Sequence, residues 1–286
     1  MNFKIVTDST ANLSTEYFNV NDIAVVTLYY LINGEVFPAY KTDDPNLLKN
    51  FYKTIQTKPK LSTSCANEEQ YFNEFEKAVK ENKPVIYIGF SAGVSATFSS
   101  AELAKDRILK EFPNAEIYCV DTHTGSFGQG YFVEQAVNMR SDGKSAKEVA
   151  EFILKERDSM NTYVTVDDLF YLHKGGRIPS LAYRIGTMIK IKPIIKVNEE
   201  GKLVSVNKVI SRKQSITHLA NLINENARKD SVVYISHADC EDDAKALAIK
   251  ITSKHIKEVK IGYLEAVIGS HTGVGGLAVF FLKESR

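Results

Sequence analysis

Through the first half of this chain, short β-branched runs alternate with stretches of helical periodicity, and that alternation is the signature of a largely parallel sheet covered by helices. The runs are Phe3–Thr7, Ile23–Leu31, Val85–Phe90 and Ile117–Asp121. Between them Ala101, Ala104 and Ile108 fall at helical spacing, and Ser145 followed by Glu148 makes a capping box ahead of Val149, Phe152 and Ile153. Asn33-Gly34 reads as a tight turn after the second run. From about Met160 the pattern changes to a short helix stopped by Gly175-Gly176, a further helix, and a hairpin of Ile194–Val197 and Leu203–Ile210 around Asn198–Gly201. A second α/β portion follows, with strands Val232–Ser236, Val259–Leu264 and Gly276–Phe281 and helices near Ile216–Ala227 and Asp242–Thr252. Because 286 residues exceed what one core serves efficiently, the expectation is two α/β domains, 1–159 and 160–286.

Composition narrows the function classes. With 44% apolar and 25% charged residues the chain can bury a sizeable core. Lys and Arg (36) balance Asp and Glu (35), so no global field gathers nucleic acid or an anionic membrane. The start, MNFKIVTDST, lacks the long apolar stretch of a signal peptide, and no later stretch reaches the ~18 apolar residues that span a bilayer. The expectation is a cytoplasmic protein with no transmembrane segment and at most transient contact with a membrane surface. Cys65, Cys119 and Cys240 fit neither a disulfide framework nor CxxC ligation, so neither metal nor cofactor is expected. Cys119 lies in the apolar run Ile117–Val120, whereas Cys65 sits in a polar loop suited to lining a site.

In open parallel sheets ligands bind beyond the carboxyl ends of the strands, and here those ends are repeatedly small and hydroxylic. The first strand runs into Asp8-Ser9-Thr10, the third into the segment from Ser91 to Thr97, and the fourth into the segment from Asp121 to Ser126. Hydroxyls and free backbone N–H groups ahead of a helix cradle a carboxylate or phosphate, although helix capping explains any one of them. Ser62-Thr63-Ser64-Cys65 adds a further hydroxyl cluster. Asp167-Asp168-Leu169 opens a short helix ending at Lys174-Gly175-Gly176, which leaves Arg177 exposed beside a tight turn. Near the C-terminus a single imidazole, His271, is framed by Gly269, Gly273, Gly275 and Gly276, which admits a ligand closely. There is no GxSxG elbow, GxxxxGK[ST] loop, HExxH or strand-following GxGxxG. Ser95, His271 and Asp8 form a triad only if geometry brings them together.

Taken in order, TDST at 7–10, TSCAN at 63–67, SAGVSATFSSA at 91–101, DTHTGSFGQG at 121–130, DDLFYLHKGGRI at 167–178 and IGSHTGVGG at 268–276 resemble the DegV family of lipid-binding proteins over nearly the whole chain. The resemblance implies an N-terminal domain with a largely parallel sheet, a second α/β domain, and a long-chain fatty acid held in an apolar tunnel near the domain junction. It implies no catalysis by this chain, but a role like that of the binding subunit of fatty acid kinase, presenting the carboxylate to a separate ATP-binding subunit for acyl phosphate formation in phospholipid metabolism. The family's carboxylate contacts fall on Thr63, Ser95 and His271, with Ser64, Thr97 and Thr272 as neighbouring candidates and no buried cation required. Arg177 and Arg212 are the candidates for partner contact, and a loop near His271 or Arg177 is expected to open. Ala96, Val274 and Cys65-Ala66 depart from the family's usual Gly, Pro and Gln-Pro. Apolar stretches such as Leu181–Ile195 are candidate tunnel lining. The competing readings are a serine-dependent hydrolase or acyltransferase using Ser95 or Ser9, and a lipid carrier or sensor without a kinase partner.

Overall fold

The computed structural model describes residues 3–39, 45–178, 191–253 and 255–284. Four parallel strands, β1 (Lys4–Asp8), β2 (Ile23–Val26), β6 (Val85–Gly89) and β7 (Ile117–Asp121), form a sheet in the order β2-β1-β6-β7. Its strands are apolar on both faces because both are covered. Val6, Val85 and Tyr87 face α3 (Glu68–Lys80) and α4 (Thr97–Glu111), whereas Ile5, Ile86 and Ile88 face α5 (Ser126–Ser141) and α6 (Ala146–Glu156). The Ser145–Glu148 capping box starts α6 as the sequence predicts.

One expected strand divides. Ile23–Leu31 breaks at Thr27-Leu28 into β2 and β3 (Tyr29–Ile32), which lie in different sheets. The Leu28 N–H donates to Ser9 Oγ at 3.0 Å and its carbonyl accepts from Ala39, so the backbone leaves the first sheet with its polar groups satisfied. β3 continues through an Asn33-Gly34 turn, both residues at positive φ, into β4 (Glu35–Pro38). It then pairs with β5 (Leu61–Ser64) in a small antiparallel sheet.

The third sheet has six strands in the order β10-β9-β8-β13-β11-β12: β8 (Met160–Thr165), β9 (Lys192–Val197), β10 (Leu203–Val209), β11 (Ser231–His237), β12 (Ile256–Tyr263) and β13 (Leu277–Leu282). Only β11 and β12 run parallel within it, so the second half is mixed. Alternation sorts β13: Leu277, Val279 and Phe281 pack under α8 (Arg212–Asn226) and α9 (Glu241–Lys250), while Ala278 and Phe280 face α5. Helix α5 therefore has core on both sides. Its glycines permit that, since a Cβ on Gly128 would come within 2.9 Å of the Phe280 ring. The expected helix after Gly176 lies largely outside the described residues, among which no helix is long and apolar enough to cross a membrane.

Candidate functional site

A cavity of about 350 Å³ lies where the loops after β6 and β7 meet the α5-facing side of the six-stranded sheet. The sheet supplies Thr162, Val164, Ala278 and Phe280, the β9–β10 hairpin Ile195, Val197 and Leu203, and the loops Phe90, Val94, Ser95, Thr124 and Ser126. β5 contributes Thr63, and helix α10 (Ala266–Thr272) contributes Val267, Ile268, His271 and Thr272. Arg177, three residues past the short helix α7 (Phe170–Lys174), is the sole ionic side chain on the described wall. A smaller pocket of about 170 Å³, containing Ser62, Lys174 and Gly175, shares Thr63, Arg177 and His271 with the cavity. Those three side chains form the partition between the two spaces.

The partition is built tightly. Thr63 Oγ1 and His271 Nε2 are 2.8 Å apart, joining the small sheet to the end of α10. A Cβ on Gly175 would stand 2.1 Å from His271 Nδ1, so only glycine lets the turn after α7 close on the ring. Gly273 ends α10 at φ +70, and Gly176 turns the chain at φ +74. Arg177 donates Nε–H to the Val94 carbonyl at 3.1 Å and Nη1–H to that of Gly175, which orients its guanidinium. Burial, aided by the Arg177 charge, pushes the His271 pKa down to about 3, so its imidazole is neutral at physiological pH. Burial also lowers the Arg177 pKa from its ordinary value, which leaves the group cationic. Ser95 Oγ accepts from Thr97 N at 3.3 Å, leaving its O–H to donate. The Thr272 hydroxyl is buried with no partner among the described residues.

The sequence-derived candidates divide by place. Thr63, Ser95, His271 and Thr272 line the cavity, and Ser64 lies exposed at its margin, bonding the Cys65 carbonyl. Thr97 points elsewhere: fully buried, its hydroxyl meets Tyr71 at 2.8 Å, Tyr71 meets Tyr87, and Tyr87 donates to Asp8. Asp8 also accepts from Thr10 and the Phe90 N–H, fixing the loop beneath the site. No Ser95–His271–Asp8 triad forms, because His271 Nε2 is on Thr63 and both Asp8 oxygens are occupied. Ser9 borders a different cavity and accepts from Leu28.

Arg212 is not a free surface cation but is paired with Asp243 at 2.8 Å and contacts Cys240. Arg177, expected out beside its turn, is half-buried on the partition and supplies a cation that the sequence-derived carboxylate site lacked. Residues 181–190 of the expected lining are outside the described residues, whereas Ile195 is on the wall. Phe90 and Thr162 were not among the sequence-derived contacts, and β8 itself was not expected, whereas Thr124 lay in the hydroxylic segment after the fourth run. Among the described residues no group of His, Cys, Asp and Glu is placed to hold a metal.

Hydroxyls, a neutral imidazole and one cation at a partition, with aliphatic and aromatic side chains beyond, give the cavity a polar end of positive charge and an apolar body, which is the chemistry complementary to an amphipathic anion. The profile of the family described as "Uncharacterised protein, DegV family" matches residues 2–284, and the chain belongs to that family. A DegV domain-containing protein of Clostridium perfringens is 36% identical, over 99% of this chain and 98% of its own length. The crystal structure of DegV, a fatty acid binding protein from Bacillus subtilis, aligns with 99% of this chain and 100% of its own at a TM-score of 0.85 and 27% identity. A DegV family protein from Thermus thermophilus, described for its fatty acid binding, aligns over 99% and 100% at a TM-score of 0.86 and 25% identity.

Proposed function

We propose that this protein binds a long-chain fatty acid and presents its carboxylate to a separate ATP-dependent fatty acid kinase subunit, without itself being an enzyme. The observation that carries the reading is the partition of Thr63, His271 and Arg177, with an apolar cavity on one side and a small pocket bearing Lys174 on the other. The tail lies along Val164, Ala278 and Phe280, and each methylene removed from water contributes about 0.8 kcal/mol, so the tail dominates affinity. The carboxylate takes hydrogen bonds from Thr63, Ser95 and Thr272, with the Arg177 charge beside it. The outer pocket is the direction from which a phosphoryl group reaches the carboxylate once the turn at Arg177 or the loop at His271 moves. Work beside an ATP-dependent kinase puts the protein in the cytoplasm, with any membrane contact transient.

The test is hydroxylamine trapping of acyl phosphate. Fatty-acid-loaded protein with ATP alone yields no hydroxamate, and adding a fatty acid kinase ATP-binding subunit yields it. Hydroxamate formed without the added subunit, or none formed with it, contradicts the proposal.

A further inference from the structure

Past the head-group partition, the cavity wall is not uniformly apolar. Ser126, the first residue of α5, is 1% exposed and lines the cavity, and its Oγ has no hydrogen-bond partner among the described residues. Its backbone sits at φ +51, a left-handed conformation that a non-glycine residue holds only when its surroundings impose it. Beside it on the same wall, Thr124 Oγ1 and Thr162 Oγ1 are 2.8 Å apart, at 2% and 4% exposure. Register fixes how deep this cluster lies. Thr162 pairs with Phe280, whereas Thr272 packs on Gly276 at the head of β13. Four residues of strand, roughly 13 Å, separate Gly276 from Phe280, so the cluster meets the tail of a ligand and not its carboxylate.

An unbranched saturated tail leaves the solvent-shielded Ser126 hydroxyl unpaired, so it forgoes a buried hydrogen bond that a hydroxylated tail can supply. Given the fatty-acid reading above, we infer that the cavity selects an acyl ligand with a hydroxyl part-way along its tail, received by Ser126 beside the Thr124–Thr162 pair. The ligand class is a long-chain hydroxy acid. Its hydroxyl accepts from Ser126 and donates to a threonine oxygen, closing a small hydrogen-bonded group inside an otherwise apolar channel.

The experiment is competition binding on the delipidated full-length protein, comparing stearic acid with 8-, 10- and 12-hydroxystearic acids. At least one positional isomer binds about tenfold more tightly than stearate, the ratio expected for one satisfied buried hydrogen bond. Ser126→Gly, which suits the left-handed backbone, and separately Thr162→Val bring that ratio towards one. Stearate binding more tightly than every hydroxy isomer, or a preference that survives both substitutions, overturns the inference. If no acid of either kind binds, the fatty-acid reading itself fails, a result distinct from a preference for stearate.

Discussion

His271 illustrates how one residue's surroundings fix its chemistry. Held neutral by burial and by Arg177, it does not change charge across the physiological range. Fatty-acid affinity measured between pH 6 and 8 is therefore expected to show no inflection near 6.5, the ordinary imidazole value. Thr63→Val removes one hydrogen bond to a charged acceptor and loosens His271, so affinity falls by roughly tenfold to a hundredfold in a fluorescent fatty-acid displacement assay. Glu265 behaves in the opposite sense. Burial raises its pKa to about 8 even though the Val267 and Ile268 N–H groups bond its oxygens. The folded protein thus keeps a proton that the unfolded chain releases above about 4.5, and stability is lost as pH rises from there towards 8. Glu265→Gln is expected to gain stability relative to the parent as pH goes from 5 to 8, by an amount on the order of 4 kcal/mol in the linkage limit, read as a rising difference in melting temperature. A difference that stays constant with pH would contradict the raised pKa. Ser95 stood out in the sequence as a hydroxyl past a strand end, His271 as an imidazole framed by glycines and Thr63 as part of a hydroxyl cluster, and the fold places all three on one cavity wall. Arg177 on the partition was not legible there, because only the closed turn on Gly175 shows which way its side chain leaves.

At the scale of elements, the β9–β10 hairpin both walls the cavity and closes over it. Its turn is tied to the first half through Ser91 Oγ, which donates to the Gly201 carbonyl at 2.8 Å. Ser91→Ala removes that tie, and the hairpin amides are expected to exchange hydrogen severalfold faster, with faster ligand exchange alongside. Unchanged exchange would show that packing alone holds the hairpin. The hairpin was readable from Asn198–Gly201 between two apolar runs, and the parallel strands from their β-branched runs. The break in Ile23–Leu31 was not, because it depends on Ser9, far away in sequence, accepting the Leu28 N–H. Thr97 fails as a site residue for the same kind of reason: the sequence marks it as a hydroxyl near a strand end, and only the fold turns it towards Tyr71.

Across the whole molecule, the small sheet and α2 (Pro45–Ile55) belong to the first half by sequence but pack on elements of the second. Tyr52 is fully buried and donates to the Leu264 carbonyl at 2.7 Å, and Tyr171 donates to that of Ile55 at 2.8 Å. Tyr52→Phe leaves a buried carbonyl unpaired and is expected to cost about 1–3 kcal/mol, seen as a melting temperature lower by several degrees. These bonds hold Thr63 against His271, so the site depends on both halves being in register. The central claim, that this arrangement exists to hold a fatty acid, is tested most directly by native mass spectrometry of the gently purified protein, followed by organic extraction. One acyl ligand per chain is expected, lost in a Thr63→Ala/Ser95→Ala double variant that still folds. A protein that is empty and also refuses added fatty acids would contradict the central claim.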